Sequence, residues 1–143
     1  MDKENCTDAL KEIYDKQGNK RLNIIGILKF QPSFLNLKDI VLSIQEINLI
    51  SSYFQKKNYK SCTCFIKGCL IIGNDECLKL YNCQIENCDI YGVNVIGDFK
   101  GGKSYVLNNN IFSDEKKYLK EKFVYYNYKK NQNKINRFNL MEI

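Results

Sequence analysis

Gly97-Asp98-Phe99-Lys100-Gly101-Gly102-Lys103-Ser104 is the stretch on which the reading of this chain turns. It matches the phosphate-loop pattern G-x-x-x-x-G-K-[ST] at every fixed position. Each fixed residue type has its own task in such a loop. Gly97 and Gly102 permit backbone angles that a side chain would forbid, so the loop can curl with its N–H groups inward. Those N–H groups, with the positive end of a following helix, cradle phosphate. Lys103 brings charge to the β- and γ-phosphates, and the Ser104 hydroxyl ligates the bridging Mg²⁺.

Four fixed positions can also match by chance, so the flanks matter. Upstream, Asp89-Ile90-Tyr91-Gly92-Val93-Asn94-Val95-Ile96 is a β-branched run of strand length. Downstream, Val106, Leu107 and Ile111 can share one face of a helix opening at about Lys103, although Asn108, Asn109 and Asn110 are poor helix formers. The competing reading is a Gly/Lys-rich surface turn between two strands.

The wider segment, about residues 64–112, resembles the start of the GTPase domain of the guanylate-binding protein and atlastin group of dynamin-related GTPases. Val93-Asn94-Val95-Ile96 stands where the family has its apolar strand, and Gly102-Lys103-Ser104-Tyr105-Val106-Leu107-Asn108 where it has GKS followed by Leu-Leu-Asn. Leu70-Ile71-Ile72-Gly73-Asn74-Asp75-Glu76-Cys77-Leu78 looks like the family's strand leading into a helix. The resemblance implies GTP and GDP as ligands, Mg²⁺ as cofactor, and Gly97, Asp98, Phe99, Lys100, Gly101, Gly102, Lys103 and Ser104 as the nucleotide-binding set. Ser104 would be the metal ligand, and a homodimer through the GTPase face would follow. GTP rather than ATP comes from the resemblance alone.

The departures are specific. The family places an arginine finger where this chain has Lys100, which keeps the charge but loses the planar fork. Lys100 is thus the catalytic candidate, and slow hydrolysis is the expectation, because such a finger is worth roughly 10³ to 10⁵ in rate. No Asp-x-x-Gly, guanine-reading Arg-Asp or Asn-Lys-x-Asp follows the loop, and both threonines, Thr7 and Thr63, precede it. The expectation is the front part of a GTPase domain, a fragment whose hydrolysis alone is doubtful.

At 143 residues and 44 % apolar content the chain has the length and the core material of one domain. It contains no histidine, which excludes Ser-His and Cys-His nucleophile pairs and His-based metal sites. Seven cysteines, an odd number, with a polar start and no apolar run of membrane-spanning length, point to reduced thiols in the cytoplasm. Their spacing gives no paired C-x-x-C, so they read as small buried apolar residues rather than zinc ligands. The net charge of +6 concentrates near the end, where Lys116, Lys117, Lys120, Lys122, Lys129, Lys130, Lys134 and Arg137 lie among tyrosines. This reads as a solvated basic tail rather than a nucleic-acid surface.

Leu22 to Phe30 reads as a strand, and Leu37, Ile40, Val41, Ile44 and Ile47 place a helix from Leu37 to about Phe54. Cys62 to Ile72 reads as one strand or a hairpin broken at Lys67-Gly68, Asn74 as the N-cap of a helix, and Asp114 to Val124 as a further helix. The division expected is 1–60 as an N-terminal extension of strand plus amphipathic helix, 61–124 as part of a P-loop domain and 125–143 as tail. The fold class expected is α/β, P-loop NTPase-like, with a partial and incomplete parallel sheet and flanking helices.

A rival reading comes from another class. Leu80, Ile85, Ile90 and Val95 recur every five residues, with Leu78, Cys83, Cys88 and Val93 two before each. That is the inward ladder of a pentapeptide-type β-solenoid, a non-catalytic binding scaffold. A small basic RNA-associated protein is a third reading, carried by charge alone.

Overall fold

The computed structural model of the chain describes residues 13–15, 18–59, 61–98 and 102–122. The fold is α/β, with parallel sheets and flanking helices. A short antiparallel pair, β1 (Ile13–Tyr14) and β2 (Lys20–Arg21), precedes helix α1 (Ile24–Lys29). Then come β3 (Leu35–Lys38), β4 (Val41–Ser43), helix α2 (Ile44–Lys57), β5 (Cys64–Lys67), β6 (Leu70–Leu80), β7 (Cys83–Glu86), β8 (Asp89–Asp98), β9 (Tyr105–Leu107) and β10 (Asn110–Phe112). Residues 115–122 are helical.

The strands alternate between two all-parallel sheets, ordered β3-β5-β7-β9 and β4-β6-β8-β10. Each strand of the first sheet therefore leads straight into one of the second, and the next pair stacks on it. The chain winds as four coils around one core, a parallel solenoid.

The corner between the two sheets is the same in every coil. Asp39, Gly68, Asn87 and Asn108 each hold positive φ, at 56°, 65°, 54° and 54°. Glycine adopts this region freely, and Asn and Asp tolerate it better than other residues. The corners also stack: Asp39 N donates to Lys67 O, Gly68 N to Glu86 O and Asn87 N to Leu107 O. A Cβ on Gly68 would meet the end of the Asp39 side chain, which would have to move aside.

Register puts like residues in columns. Leu37, Ile66, Ile85 and Val106 form one inward column, and Leu42, Ile71, Ile90 and Ile111 another. Ile66, Ile85, Leu42, Ile71 and Ile90 are fully buried. At about 25 cal/mol per Å² of apolar surface, each such side chain contributes roughly 1.5–3 kcal/mol of burial. This column spacing explains the five-residue periodicity: Leu78, Leu80, Cys83, Ile85, Cys88 and Ile90 all point inward and are buried. The period fails at Val95, which is 56 % exposed. Register shifts fall between Ile72 and Glu76 and between Glu76 and Cys77, and after the second of them Leu78 lies opposite Ile96 rather than Val95. At the first of these bulges Gly73 and Gly92 (φ 71°) meet backbone to backbone, and a Cβ on either would overlap the other's carbonyl.

Helix α2 is an insertion in the first coil. Ser43 and Glu46 form a capping box, Glu46 N donating to Ser43 Oγ (3.1 Å) and Ser43 N to Glu46 Oε1 (2.8 Å). Asn58 (φ 56°) ends the helix in the left-handed conformation. Ile44, Ile47, Ile50 and Phe54 face the core. Because β4 stops at Ser43, the second half of β6 would present a bare edge. Asn48 of α2 covers it, accepting from Lys79 N (2.9 Å) and donating to Cys77 O (3.2 Å).

Several expectations are corrected. Leu22 to Phe30 is not a strand: Asn23 caps α1 by accepting from Gly26 N, and only Ile24 and Ile27 are deeply buried. The helix expected from Leu37 begins at Ile44, because Leu37, Ile40 and Leu42 alternate about a corner rather than along a helix. Asn74 caps no helix and lies within β6. The break at Lys67-Gly68 is a coil corner joining parallel sheets, not a hairpin. The helix expected to open at Lys103 is absent, and β9 stands there. The helix expected from Asp114 is present through residue 122, and the rest of the expected tail lies outside the described residues.

Candidate functional site

Gly97 and Asp98 are the last residues of β8, paired in register with Lys79 and Leu80. Gly97 has open space where a Cβ would stand and is not among the positive-φ glycines. Phe99, Lys100 and Gly101, including the catalytic candidate Lys100, lie outside the described residues. Gly102, Lys103 and Ser104 form the junction from the third coil into the fourth.

That junction is built on the one before it. Asn82 is fully buried and left-handed (φ 53°). Its Oδ1 accepts from Lys103 N (2.9 Å), its Nδ2 donates to Tyr59 O (2.7 Å), and its carbonyl accepts from Thr63 N and Cys64 N. One asparagine thus ties three successive passes of the chain. Ser104 Oγ accepts from Cys83 N at 3.3 Å. A Cβ on Gly102 would overlap the ring of Tyr81, which is buried and donates to Asn58 Oδ1. Glycine is therefore required at 102 as a seat for Tyr81.

A phosphate cradle needs converging free N–H groups and a helix N-terminus. At Gly102–Ser104 the Lys103 N–H and the Ser104 hydroxyl are engaged within the coil, and a strand follows. Lys103 itself is exposed. A related tie stands at the corner of the fourth coil: Asn109 Oδ1 accepts from Cys88 N (2.8 Å) and Asn109 Nδ2 donates to Ile85 O (2.9 Å), both in the coil before it. These asparagines escaped the sequence reading. The residue type alone hints at the turns, because asparagine tolerates the left-handed conformation that Asn58, Asn82, Asn87 and Asn108 adopt, but Asn109 does not adopt it.

Four of the six described cysteines line the interior, as expected of small apolar residues, whereas Cys77 does not, and Cys6 lies outside the described residues. Cys64, Cys69, Cys83 and Cys88 are buried, Cys62 is partly buried and Cys77 is exposed. Contact with Cys83 and burial push the Cys64 thiol well up from its usual range, and contact with Cys69 and burial do the same to Cys88. Neutral thiols of this kind pack as small apolar groups. Among the described residues no group of three or more His, Cys, Asp or Glu is placed to hold a metal ion.

Two shallow concavities lie on the exterior. One, of about 240 Å³, is lined by Asn36, Phe65, Ile66, Lys67, Gln84 and Glu86 on the outward face of the first sheet. The other, of about 370 Å³, lies between β10 and the helical residues 115–122, lined by Asn110, Phe112, Glu121 and Lys122. Tyr118 stacks on Tyr91 (5.0 Å between centroids) and meets Phe112 edge-on, while Lys122 pairs with Asp89 at 2.7 Å. Among the described residues no helix is long and apolar enough to cross a membrane. Comparison with family models, with curated proteins and with solved structures returned no match to this chain.

Proposed function

We propose that this chain is a non-catalytic β-solenoid scaffold whose working surface is the exterior of its coils. The observation that carries the reading is the junction at Gly102-Lys103-Ser104. There the fixed residues of the phosphate-loop pattern serve coil closure through Tyr81, Asn82 and Cys83. Four stacked coils exceed the roughly three units that such repeats need for stability.

A second reading is guanine-nucleotide binding through Gly97–Ser104 with Mg²⁺. It rests on the eight-residue pattern and on the resemblance of residues 64–112 to the guanylate-binding protein and atlastin group. Binding of a fluorescent GTP analogue to the full chain, with and without Mg²⁺, separates the two. The scaffold reading expects no saturable Mg²⁺-dependent signal from a folded chain. Saturable binding competed by GTP and lost in Lys103→Ala, with an unchanged circular dichroism spectrum, would overturn it.

A further inference from the structure

The two ends of the solenoid are finished differently. At the first coil, α1 lays Ile24 and Ile27 against the core, and both are almost fully buried. At the last coil, β9 and β10 are the outer strands of both sheets, and their far edges meet no strand among the described residues. The inward columns continue into this coil but lose their cover. Val106 stacks on the fully buried Ile85 yet is 41 % exposed, and Ile111 stacks on the fully buried Ile90 yet is 58 % exposed. Tyr105 and Leu107 are exposed as well. The helical residues 115–122 do not close this end, because Tyr118 packs against Tyr91 and Phe112 at the flank.

The chemistry of the open end is distinctive. Ser104-Tyr-Val-Leu-Asn-Asn-Asn-Ile-Phe-Ser113 contains no charge, no proline and no glycine. Solenoids close their ends with polar caps, and exposed strand edges are guarded by lysine, proline or bulges. This edge carries none of them. An uncharged rim around an apolar centre repels no copy of itself, and the same patch on two subunits forms an isologous interface. We infer that the last coil, Tyr105 to Phe112, is a self-association surface. A second copy of this chain covers Val106 and Ile111 and meets the free edges of β9 and β10. The inference rests on the coil geometry and not on the scaffold reading, and the contact begins one residue beyond Ser104.

The test is sedimentation velocity of the full chain from about 1 to 100 μM, with Ile111→Lys and Leu107→Lys beside it. The expected result is a concentration-dependent dimer, weakened at least tenfold by either lysine, with circular dichroism spectra unchanged. Leu107 points out of the core, so its variant keeps the test valid should Ile111→Lys unfold. A wild-type chain that is monomeric throughout the range overturns the inference. A dimer indifferent to Leu107→Lys also overturns it, because the interface then lies elsewhere.

Discussion

Replacing Asn82 by alanine removes the side chain that ties three passes of the chain together. Two hydrogen bonds are lost, from Lys103 N at 2.9 Å and to Tyr59 O at 2.7 Å, each worth about 1–2 kcal/mol at this part-buried junction. Alanine at φ 53° adds about 1 kcal/mol of left-handed strain. The total is about 3–5 kcal/mol, a large fraction of the stability of a domain this size. Asn87 is the control. It is exposed and has the same backbone angle, φ 54°, so Asn87→Ala carries only the strain of about 1 kcal/mol. Asn82→Gly removes the bonds without the strain and falls between them. Urea denaturation followed by circular dichroism reads the difference, with the midpoint of Asn82→Ala lowered by about 1.5–2.5 M at an m-value of about 2 kcal/mol/M. Equal midpoints for Asn82→Ala and Asn87→Ala would refute the account, because the amide would then contribute nothing beyond its backbone angle.

Gly73→Ala drives a methyl into the Gly92 carbonyl and Ile44, and lowers stability by about 1–3 kcal/mol in thermal unfolding. An unchanged melting temperature would mean that the coils do not approach so closely at the bulge. Alkylation of the native chain by iodoacetamide labels Cys77 well before Cys64, Cys83 and Cys88, as peptide mapping by mass spectrometry would show. Simultaneous labelling of all four would contradict the buried columns. Cys64, raised by its contact with Cys83 and by burial, holds its proton more tightly folded than unfolded. Its contribution is therefore complete below the unfolded thiol value of about 8.5 and declines as pH rises above it. The urea midpoint should fall between pH 7 and pH 10, and a rise would contradict the sign.

What could be read from the sequence was what depends on local pattern. The inward ladder from Leu78 to Ile90, the break at Lys67-Gly68 and the helix after Asp114 each leave a short-range trace, and each is present. The α/β class with parallel sheets and flanking helices is present, but the helices expected between the strands at Asn74 and at Lys103 are not. The missed elements depend on partners distant in sequence. Asn74 has the chemistry of a helix cap, but Ile71 beside Ile90 and Leu78 beside Ile96 hold its segment in a strand. Leu22 to Phe30 has strand composition, yet its task at the first coil is to lay Ile24 and Ile27 across the core. The junction at Gly102–Ser104 misled for a similar reason. A tight coil junction and a phosphate cradle both call for glycine and a small hydroxyl, and only Tyr81 and Asn82, some twenty residues earlier, distinguish them here.

The corners carry one more consequence. Asp39 to Gly68 spans 29 residues, Gly68 to Asn87 spans 19 and Asn87 to Asn108 spans 21, yet the corner hydrogen bonds are the same in each step. Register is measured at the corner and is blind to the length of chain between corners. The whole of α2 has been accommodated between Ser43 and Cys64 without shifting a single rung. An insertion between Tyr59 and Ser61 is thus a natural graft for a foreign loop: it leaves the bonds of Asn58, Tyr59 and Thr63 to Tyr81 and Asn82 in place, and its length enters the fold only as a modest closure entropy, about 0.6 kcal/mol per doubling.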